Sequence, residues 1–291
     1  MFLQEKMIIS KIIGGMGNQM FQYAAGRCLA HLNKTQLKLD VTGFDNYRLR
    51  NFDLQSFHTD CRFASDTEIK NLLPSHNFEK ALQYLFPKKK RTYYREKYFH
   101  FDESMLAFGN NVYIKGYFQS EKYFSPVKEI LRKEFTFKDE VIKRVKGALD
   151  RSESQNRVSV HIRLGDMKSD PVMAERHGVM PLDYYQNGIE IIRSKISNPQ
   201  FYFFSDDINW AKENFNYADA TFVSGEISKT HFEDLYLMSQ CGHNIIANSS
   251  FSWWGAWLNN NSDKIVIAPN KWFNRGPQDT QDLLPSTWIR I

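Results

Sequence analysis

In the second half of the chain, apolar runs alternate with stretches that have the spacing of amphipathic helices. Over residues 157–163 the side chains alternate between apolar and polar, the period of a strand with one face in a core. Further strands are predicted at 200–205, 219–223, 244–248 and 264–268, and helices at 181–196, 207–215, 231–241 and 251–260. Strict alternation of strands and helices indicates right-handed βαβ units around a parallel sheet, and therefore a Rossmann-like domain.

The first half begins in the same way and then has a looser pattern. A strand leads through the glycine loop 14–17 into a helix. The other predicted elements are strands at 7–13, 36–40 and 111–116 and helices at 66–73, 77–85 and 126–150. Polar residues at 151–156 are typical of a linker. We therefore expect two α/β domains, one over residues 1–150 and one over residues 151–291.

Composition narrows the class of protein. The chain has 291 residues, of which 42% are hydrophobic, and a formal net charge of +5. This mild positive charge suits an anionic ligand or a membrane surface but is too weak to indicate a nucleic acid partner. Three cysteines without metal-ligand spacing indicate buried free thiols in a reducing compartment. Because no apolar run of membrane-spanning length and no signal-peptide pattern occurs, we expect a cytoplasmic enzyme.

One segment concentrates positive charge. Lys88, Lys89, Lys90 and Arg91 follow each other directly and precede a pair of tyrosines. A run of this kind is usually a solvated face. The second interpretation is a contact with anionic lipid or an acidic glycan carrier, which would place the protein peripherally at the inner surface of a membrane.

The glycine loop offers backbone N–H groups at the start of a helix, where they can approach an anion. A dinucleotide-binding interpretation fails because Met20 stands where that fingerprint needs its third glycine, which excludes a dinucleotide oxidoreductase. Gly15 and Gly17 are candidates for close backbone contact with a ligand, and Asn18 and Gln19 are candidates for side-chain contacts. The alternative is a tight turn with a capping asparagine.

Ligands of open α/β sheets bind at the carboxyl ends of the strands. The first strand of the second half delivers His161 and Arg163 to this edge, next to Asp166. A guanidinium group matches a phosphate or a carboxylate, and pairing with Asp166 alone is the alternative. Ser205 and Asp206 follow the second strand and add a hydroxyl and an acid. The alternative for this second loop is capping of the helix that follows it.

The third loop of this edge is the most distinctive. It places Asn248, Ser249, Ser250, Phe251 and Ser252 between a strand and a helix. Its hydroxyls and the first N–H groups of the helix form a candidate cradle for a diphosphate, whereas the tryptophans that follow are spaced to pack the helix on the sheet. No Asp-x-Asp triplet, P-loop, Ser-His-Asp signature or Cys/His metal set occurs. The sequence therefore predicts a diphosphate site without a cation.

Four segments together resemble the α-1,2-fucosyltransferases of glycosyltransferase family 11. They are residues 14–24, 161–166, 248–255 and 264–273, in the order that the family has. The resemblance implies a metal-independent GT-B-like fold in which two Rossmann-like domains face a cleft, the first on the acceptor side and the second binding the donor. It further implies that L-fucose passes from GDP-β-L-fucose to the 2-hydroxyl of a terminal galactose with inversion, and that no cofactor is required.

The same resemblance implies roles for single residues. Arg163 would bind the donor diphosphate and Asn18 would lie near the donor. The rest of the nucleotide site would be His161, Ser205, Asp206 and residues 248–252, and the catalytic candidates are His161, Arg163 and Asp166. One departure from the family pattern is Leu164, which stands where a second arginine is usual.

The mechanism that this suggests is direct displacement of GDP by the galactose hydroxyl. A general base would assist, and Asp166, Asp206 and acids of the first domain are all candidates. Two alternatives stay open: transfer of fucose to another position or to protein, and a non-catalytic protein that binds a GDP-sugar. The expected acceptor is a bacterial surface polysaccharide or a lipid-linked oligosaccharide that ends in β-galactose.

Overall fold

The structure, a computed structural model, describes residues 6–44, 51–149, 156–165 and 171–291. Contacts divide the chain into two compact units. Unit 1 comprises Met1–Thr136 and Asp279–Leu283, and unit 2 comprises Phe137–Gln278 and Leu284–Ile291. The division therefore falls between Thr136 and Phe137, whereas the sequence-based boundary was placed between residues 150 and 151, which lie outside the described residues.

Unit 1 is built on a parallel sheet. Its described strands are β1 (Met7–Lys11), β2 (Gln36–Asp40), β3 (Tyr93–Arg95) and β4 (Asn111–Lys115), and its described helices are α1 (Met16–Leu32), α2 (Asp66–Leu72), α3 (Asn77–Leu82) and α4 (Lys128–Glu134). The strand order is β2-β1-β4-β3. Helix α1 lies directly on the sheet, because a Cβ atom at Gly26 would be 2.8 Å from Cδ1 of Leu37 and 3.0 Å from Cβ of Ser10.

Unit 2 is built on a second parallel sheet. Its described helices are α5 (Asp139–Ile142), α6 (Pro171–His177), α7 (Leu182–Lys195), α8 (Ile208–Asn214), α9 (His231–Ser239) and α10 (Ser250–Leu258). Its described strands are β5 (Arg157–Ile162), β6 (Gln200–Ser205), β7 (Ala220–Phe222), β8 (His243–Ile245), β9 (Val266–Ala268) and β10 (Ile289–Arg290), in the order β10-β9-β8-β5-β6-β7. The alternation of strands and helices that the sequence predicts is confirmed.

Two sequence-based predictions about elements are wrong. Every residue of β5 is buried, so both faces of this strand are covered rather than one. The helix predicted over 126–150 is interrupted, because α4 ends at Glu134 and α5 begins only at Asp139. The interruption has a physical cause: Phe135 packs on Tyr23 and Phe57 in unit 1, whereas Phe137 packs on Tyr236 in unit 2.

The helix after the third loop packs as predicted. Trp253 and Trp254 are fully buried, and the rings of Trp253 and Trp257 stack with their centroids 6.4 Å apart. Among the cysteines, Cys28 and Cys241 are buried and Cys61 is half-buried, and all are free thiols. Within the described ranges, no helix has the length and apolar character that crossing a membrane requires.

In each unit the strand order reverses next to the first strand. The chain runs from β5 to β6 and β7 on one side of the sheet and then returns to β8 on the other side of β5. In unit 1 it runs from β1 to β2, and β4 pairs with the other side of β1. The carboxyl ends of β5 and β8, and those of β1 and β4, therefore form two topological switch points, the positions where open α/β sheets bind ligands.

Candidate functional site

The switch point of unit 2 contains a buried histidine beside a half-buried arginine. His161 is only 8% exposed, and its ring centroid lies 5.6 Å from that of Phe251, at the start of α10. Burial and the nearby charge of Arg163 lower the pKa of His161 to about 3, so its imidazole is neutral. Its Nδ1 atom is buried and has no hydrogen-bond partner among the described residues. A buried polar atom of this kind is what a ligand would satisfy.

Asp206 holds the loop that follows β5. Its carboxylate accepts the backbone N–H of Leu164 and that of Gly165, both at 2.8 Å. The fit requires glycine, since a Cβ atom at Gly165 would lie 2.8 Å from Oδ2 of Asp206. The side chain of Leu164 lies in the buried core of unit 2. Asp206 therefore fixes the backbone that carries Arg163, whereas Asp166, the third catalytic candidate, lies outside the described residues.

The rest of the second loop forms the start of α8. Ser205 accepts the N–H of Asp207 through Oγ at 3.0 Å, and its own N–H donates to Oγ of Ser224. Asp207 caps α8 by accepting the N–H of Trp210 at 3.1 Å. The capping alternative is therefore confirmed for this loop through Asp207, and the hydroxyl of Ser205 serves the same turn.

Asn248 ties the third loop to two distant segments. Its buried amide nitrogen donates to the carbonyls of His177 at 2.8 Å and of Gly178 and Trp272 at 3.2 Å. These bonds use the donors of the side chain within the protein. Asn248 is thus a structural residue in the described arrangement, and a contact with a donor nucleotide stays a prediction.

The serines of the third loop divide into two kinds. Ser249 is the N-cap of α10, because its Oγ accepts the N–H of Phe251 at 3.3 Å. Ser252 is buried and its hydroxyl donates to the carbonyl of Ser249. Ser250 and Phe251 are the half-buried members. They are the side chains that the helix start can offer to a ligand, and its first turn contains no acid that would repel an anion.

At the switch point of unit 1, the glycine loop is ordered by Gln19. Its amide nitrogen donates to the carbonyls of Gly14 and Asn51, both at 2.8 Å, and its Oε1 accepts the N–H of Asp53 at 2.9 Å. Gln19 is fully buried, so it orders two loops instead of facing solvent. Gly15, which is half-buried, is the N-cap residue of α1, and Gly17, which is buried, lies in its first turn, so a contact of either glycine with a ligand stays a prediction.

Asn18 links this loop to the one after β4. Its Oδ1 accepts a hydrogen bond from Nε2 of Gln119 at 2.6 Å. Gly14 has a φ of +80°, and a Cβ atom there would lie 2.9 Å from Nδ2 of Asn18. The side chain of Asn18 therefore requires a glycine at position 14. Gly15 is the N-cap of α1, so Asn18 links two loops instead of capping the helix.

Glu96 is a candidate that the sequence analysis missed. It directly follows β3 at the same edge, and it accepts the N–H of Tyr117 at 2.7 Å and that of Phe118 at 3.1 Å. Phe118 has a φ of +53°, which is uncommon for a residue with a side chain. Burial raises the pKa of Glu96 to about 7. The available signal was a single acid between Arg95 and Lys97 at the end of a short strand.

The described residues contain no group of three or more histidine, cysteine, aspartate or glutamate side chains that could hold a metal ion. The two units bring together different sets of functional groups. Unit 2 offers a cation, a neutral imidazole and a helix start, which suit an anion. Unit 1 has a second helix start, polar side chains and the carboxyl group of Glu96, whose pKa is about 7.

Comparison with known proteins shows that the similarity is not confined to the sequence motifs but covers almost the whole chain. A family model described as Glycosyl transferase family 11 matches residues 3–291. An α-1,2-colitosyltransferase of Escherichia coli is 35% identical over 291 residues, 98% of each chain. The O-antigen biosynthesis glycosyltransferase WbnK of E. coli is 32% identical over 97% of this chain and 99% of its own. Galactoside α-(1,2)-fucosyltransferase 1 of Gorilla gorilla gorilla is 29% identical over 88% of this chain and 66% of its own.

Solved structures share the fold at much lower identity. A mutant of Arabidopsis thaliana FUT1 in complex with GDP has a TM-score of 0.57 and 11% identity, over 97% of this chain and 75% of its own. The fucosyltransferase NodZ from Bradyrhizobium has a TM-score of 0.52 and 15% identity, over 87% of this chain and 92% of its own. These likenesses confirm the predicted α/β, GT-B-like fold class.

Proposed function

Since the chain belongs to glycosyltransferase family 11, we propose that it transfers L-fucose from GDP-β-L-fucose to the 2-hydroxyl of a terminal galactose, with inversion. Relatives named as galactoside α-(1,2)-fucosyltransferases support the linkage. The E. coli relative named for O-antigen biosynthesis supports a bacterial surface polysaccharide as the acceptor. The proposal assigns the nucleotide to unit 2 and the acceptor to unit 1.

The observation that carries this proposal is the switch point of unit 2. Arg163, the unpartnered Nδ1 of His161 and the first turn of α10 lie at the ends of two adjacent strands. An arginine and a helix start both favour a diphosphate. Ser250 and Phe251 are the half-buried residues of that turn, and Asp206 holds the loop that carries Arg163.

In the proposed reaction, O2 of galactose forms a bond to C1 of fucose as the bond from C1 to the GDP oxygen breaks. Negative charge develops on the departing diphosphate, where Arg163 and the N–H groups of α10 stabilise it. The proton of the attacking hydroxyl goes to a base, for which Asp166, Asp206 and acids of unit 1, Glu96 among them, are the candidates. A carboxyl group with a pKa of about 7 suits proton transfer at neutral pH.

The relative that is 35% identical is named as a colitosyltransferase, which makes GDP-colitose a second candidate donor. Colitose is fucose without the hydroxyl at C3. A site that hydrogen-bonds this hydroxyl would reject the deoxy analogue by roughly four orders of magnitude, whereas a site without such a bond would accept both sugars. The ratio of kcat/KM for GDP-fucose and GDP-colitose therefore decides the donor.

The test is GDP release and product formation with both donors, with EDTA present, across a panel of β-galactosides and other glycosides. The expected result is an α-1,2-linked product with galactose-terminated acceptors alone. Arg163→Ala should lower kcat/KM by about 100-fold or more. Arg193→Ala is the matched control, because Arg193 pairs with Asp219 and Glu190 on the surface of unit 2. Tight GDP binding without turnover would instead indicate a GDP-sugar-binding protein.

A further inference from the structure

Residues 77–91 of unit 1 combine positive charge with exposed apolar side chains. The segment contains four lysines, one arginine and one glutamate, so it carries +4 of the chain's formal net charge of +5. The remaining residues of the protein are therefore close to neutral in sum. These fifteen residues therefore form a strongly basic segment, and the described site residues do not belong to it.

The apolar side chains of this segment follow the spacing of an amphipathic helix. Phe78, Leu82 and Leu85 recur at intervals of four and three residues, along α3 and the helical turn Gln83–Leu85. Such a stripe normally faces a core. Here, however, α3 has no buried residue, and Phe78 is 73% and Leu85 78% exposed. Phe86 extends the exposed row and is 51% exposed.

The segment is nevertheless fixed to unit 1. Gln83 exchanges two hydrogen bonds with Thr92, one from its Nε2 at 3.1 Å and one to its Oε1 at 2.8 Å. Within the segment itself, Arg91 donates to the carbonyl of Phe86 at 2.9 Å. The carbonyl of Lys89 lies so close to Gly109 that a Cβ atom there would be 2.2 Å away. The exposed stripe is therefore held in place by bonds on its other side.

Basic and apolar groups meet around one aromatic ring. The guanidinium of Arg91 lies 5.0 Å from the ring centroid of Tyr84, and Nζ of Lys97 lies 5.1 Å from it. Tyr84 is itself 59% exposed. Lysines 88–90 form a short helical turn directly after the apolar row, and Lys89 and Lys90 are exposed. Amphipathic aromatic rings with neighbouring cations are typical of the boundary between lipid headgroups and acyl chains.

We propose that residues 77–91 dock unit 1 on an anionic phospholipid surface. Phe78, Leu82 and Leu85 enter the boundary between headgroups and acyl chains, and the basic residues 88–91 face lipid phosphates. Charge argues for this occupant: a second copy of the chain, packed through the same face, would bring two segments of +4 together. An anionic membrane satisfies the apolar row and the charge at once.

The experiment is sedimentation of the full chain with vesicles of phosphatidylcholine, with and without phosphatidylglycerol. We expect binding that requires phosphatidylglycerol and weakens at least tenfold when salt rises from about 0.1 M to about 1 M, where the Debye length falls to about 3 Å. Because this assay needs neither donor nor acceptor, its failure would leave the proposed transferase reaction untouched. Far-UV circular dichroism of each variant serves separately as the check on folding.

Matched variants test whether binding depends on residues 77–91 or only on the net charge of the protein. Replacing Lys88, Lys89 and Lys90 by glutamate should abolish binding, whereas the same change at the exposed residues Lys34, Lys70 and Lys128 should leave most of it. Phe78→Ser with Leu85→Ser should weaken binding at least tenfold, and Val172→Ser, at a side chain 71% exposed in unit 2, should not. Equal binding by all variants would overturn the proposal. So would a stable dimer that Phe78→Ser dissociates, since it would assign the stripe to a second copy.

Discussion

Gln119 donates a hydrogen bond from Nε2 to Oδ1 of Asn18 at 2.6 Å, and this bond joins the two loops that leave the sheet at the switch point of unit 1. The corresponding position in unit 2 is occupied by the rings of His161 and Phe251, 5.6 Å apart. A residue of the first turn of α1 in unit 1, and a residue of the first strand in unit 2, thus contacts the element that lies across the reversal of strand order.

The first prediction concerns the bond between Asn18 and Gln119. Asn18→Ala and Gln119→Ala should each lower the stability of unit 1 by about 1 kcal/mol, and the double variant by little more, because either change removes the same bond. All six tryptophans lie in unit 2, so unfolding of unit 1 should be followed by far-UV circular dichroism. Tyr117→Ala, an exposed side chain on the same loop, is the control. Additive losses would contradict the coupling.

The second prediction concerns two neighbouring aspartates. Asp206→Ala removes the acceptor of two N–H groups on the loop that carries Arg163, and it should weaken GDP binding by about tenfold or more, since a hydrogen bond to a charged group contributes about 1.5–3 kcal/mol. Asp207→Ala removes the cap of α8 and should cost about 1 kcal/mol of stability with GDP affinity unchanged. Calorimetric titration of GDP measures both. Unchanged affinity in Asp206→Ala would separate this loop from the nucleotide.

The third prediction concerns Leu164, where the resemblance leads one to expect a second arginine. Because Leu164 is 3% exposed and lies in the core of unit 2, Leu164→Arg should destabilise that unit by about 3 kcal/mol or more instead of improving activity. Tryptophan fluorescence in urea reports on unit 2 directly. Leu164→Met, which keeps the volume, should cost less than about 1.5 kcal/mol. A stable and more active arginine variant would show that the position faces the ligand.

The fourth prediction concerns the pH dependence set by Glu96. Its pKa is raised from 4.5 to about 7, so the folded protein keeps the proton across this interval whereas the unfolded chain loses it. Stability should therefore fall as pH rises from about 4.5 to about 7, by at most about 1.4 kcal/mol per pH unit, and Glu96→Gln should remove this slope.

If Glu96 is also the base, kcat/KM should rise with pH and level off above about 7 in the wild-type enzyme. Glu96→Gln should lower the rate by about 100-fold or more and flatten the profile. Glu103→Gln, at an exposed acid of unit 1, is the control for a change of charge. A normal rate in Glu96→Gln would leave this residue a structural role only, as the acceptor for residues 117 and 118.

Local patterns predicted the elements of unit 2 well because the strands and helices alternate along the chain and the tryptophans of α10 are spaced to pack on one side, although both faces of β5 are covered. They did less well where partners are distant. Asn248 bonds to Trp272 and to residues around 177, and no local spacing reveals such a set of carbonyls. Glu96 was missed for the same reason, since its partners are backbone N–H groups 21 and 22 residues further along.

The segment Asp279–Leu283 gives unit 1 a particular order of assembly. Asp279 accepts the N–H of Phe99, 180 residues earlier, and Asp282 accepts that of Phe101. During translation these two N–H groups leave the ribosome long before their acceptors exist. Unit 1 therefore completes its hydrogen bonding only after the sheet of unit 2 has been synthesised up to β9, and a fragment that ends at the division between the units lacks part of the first one.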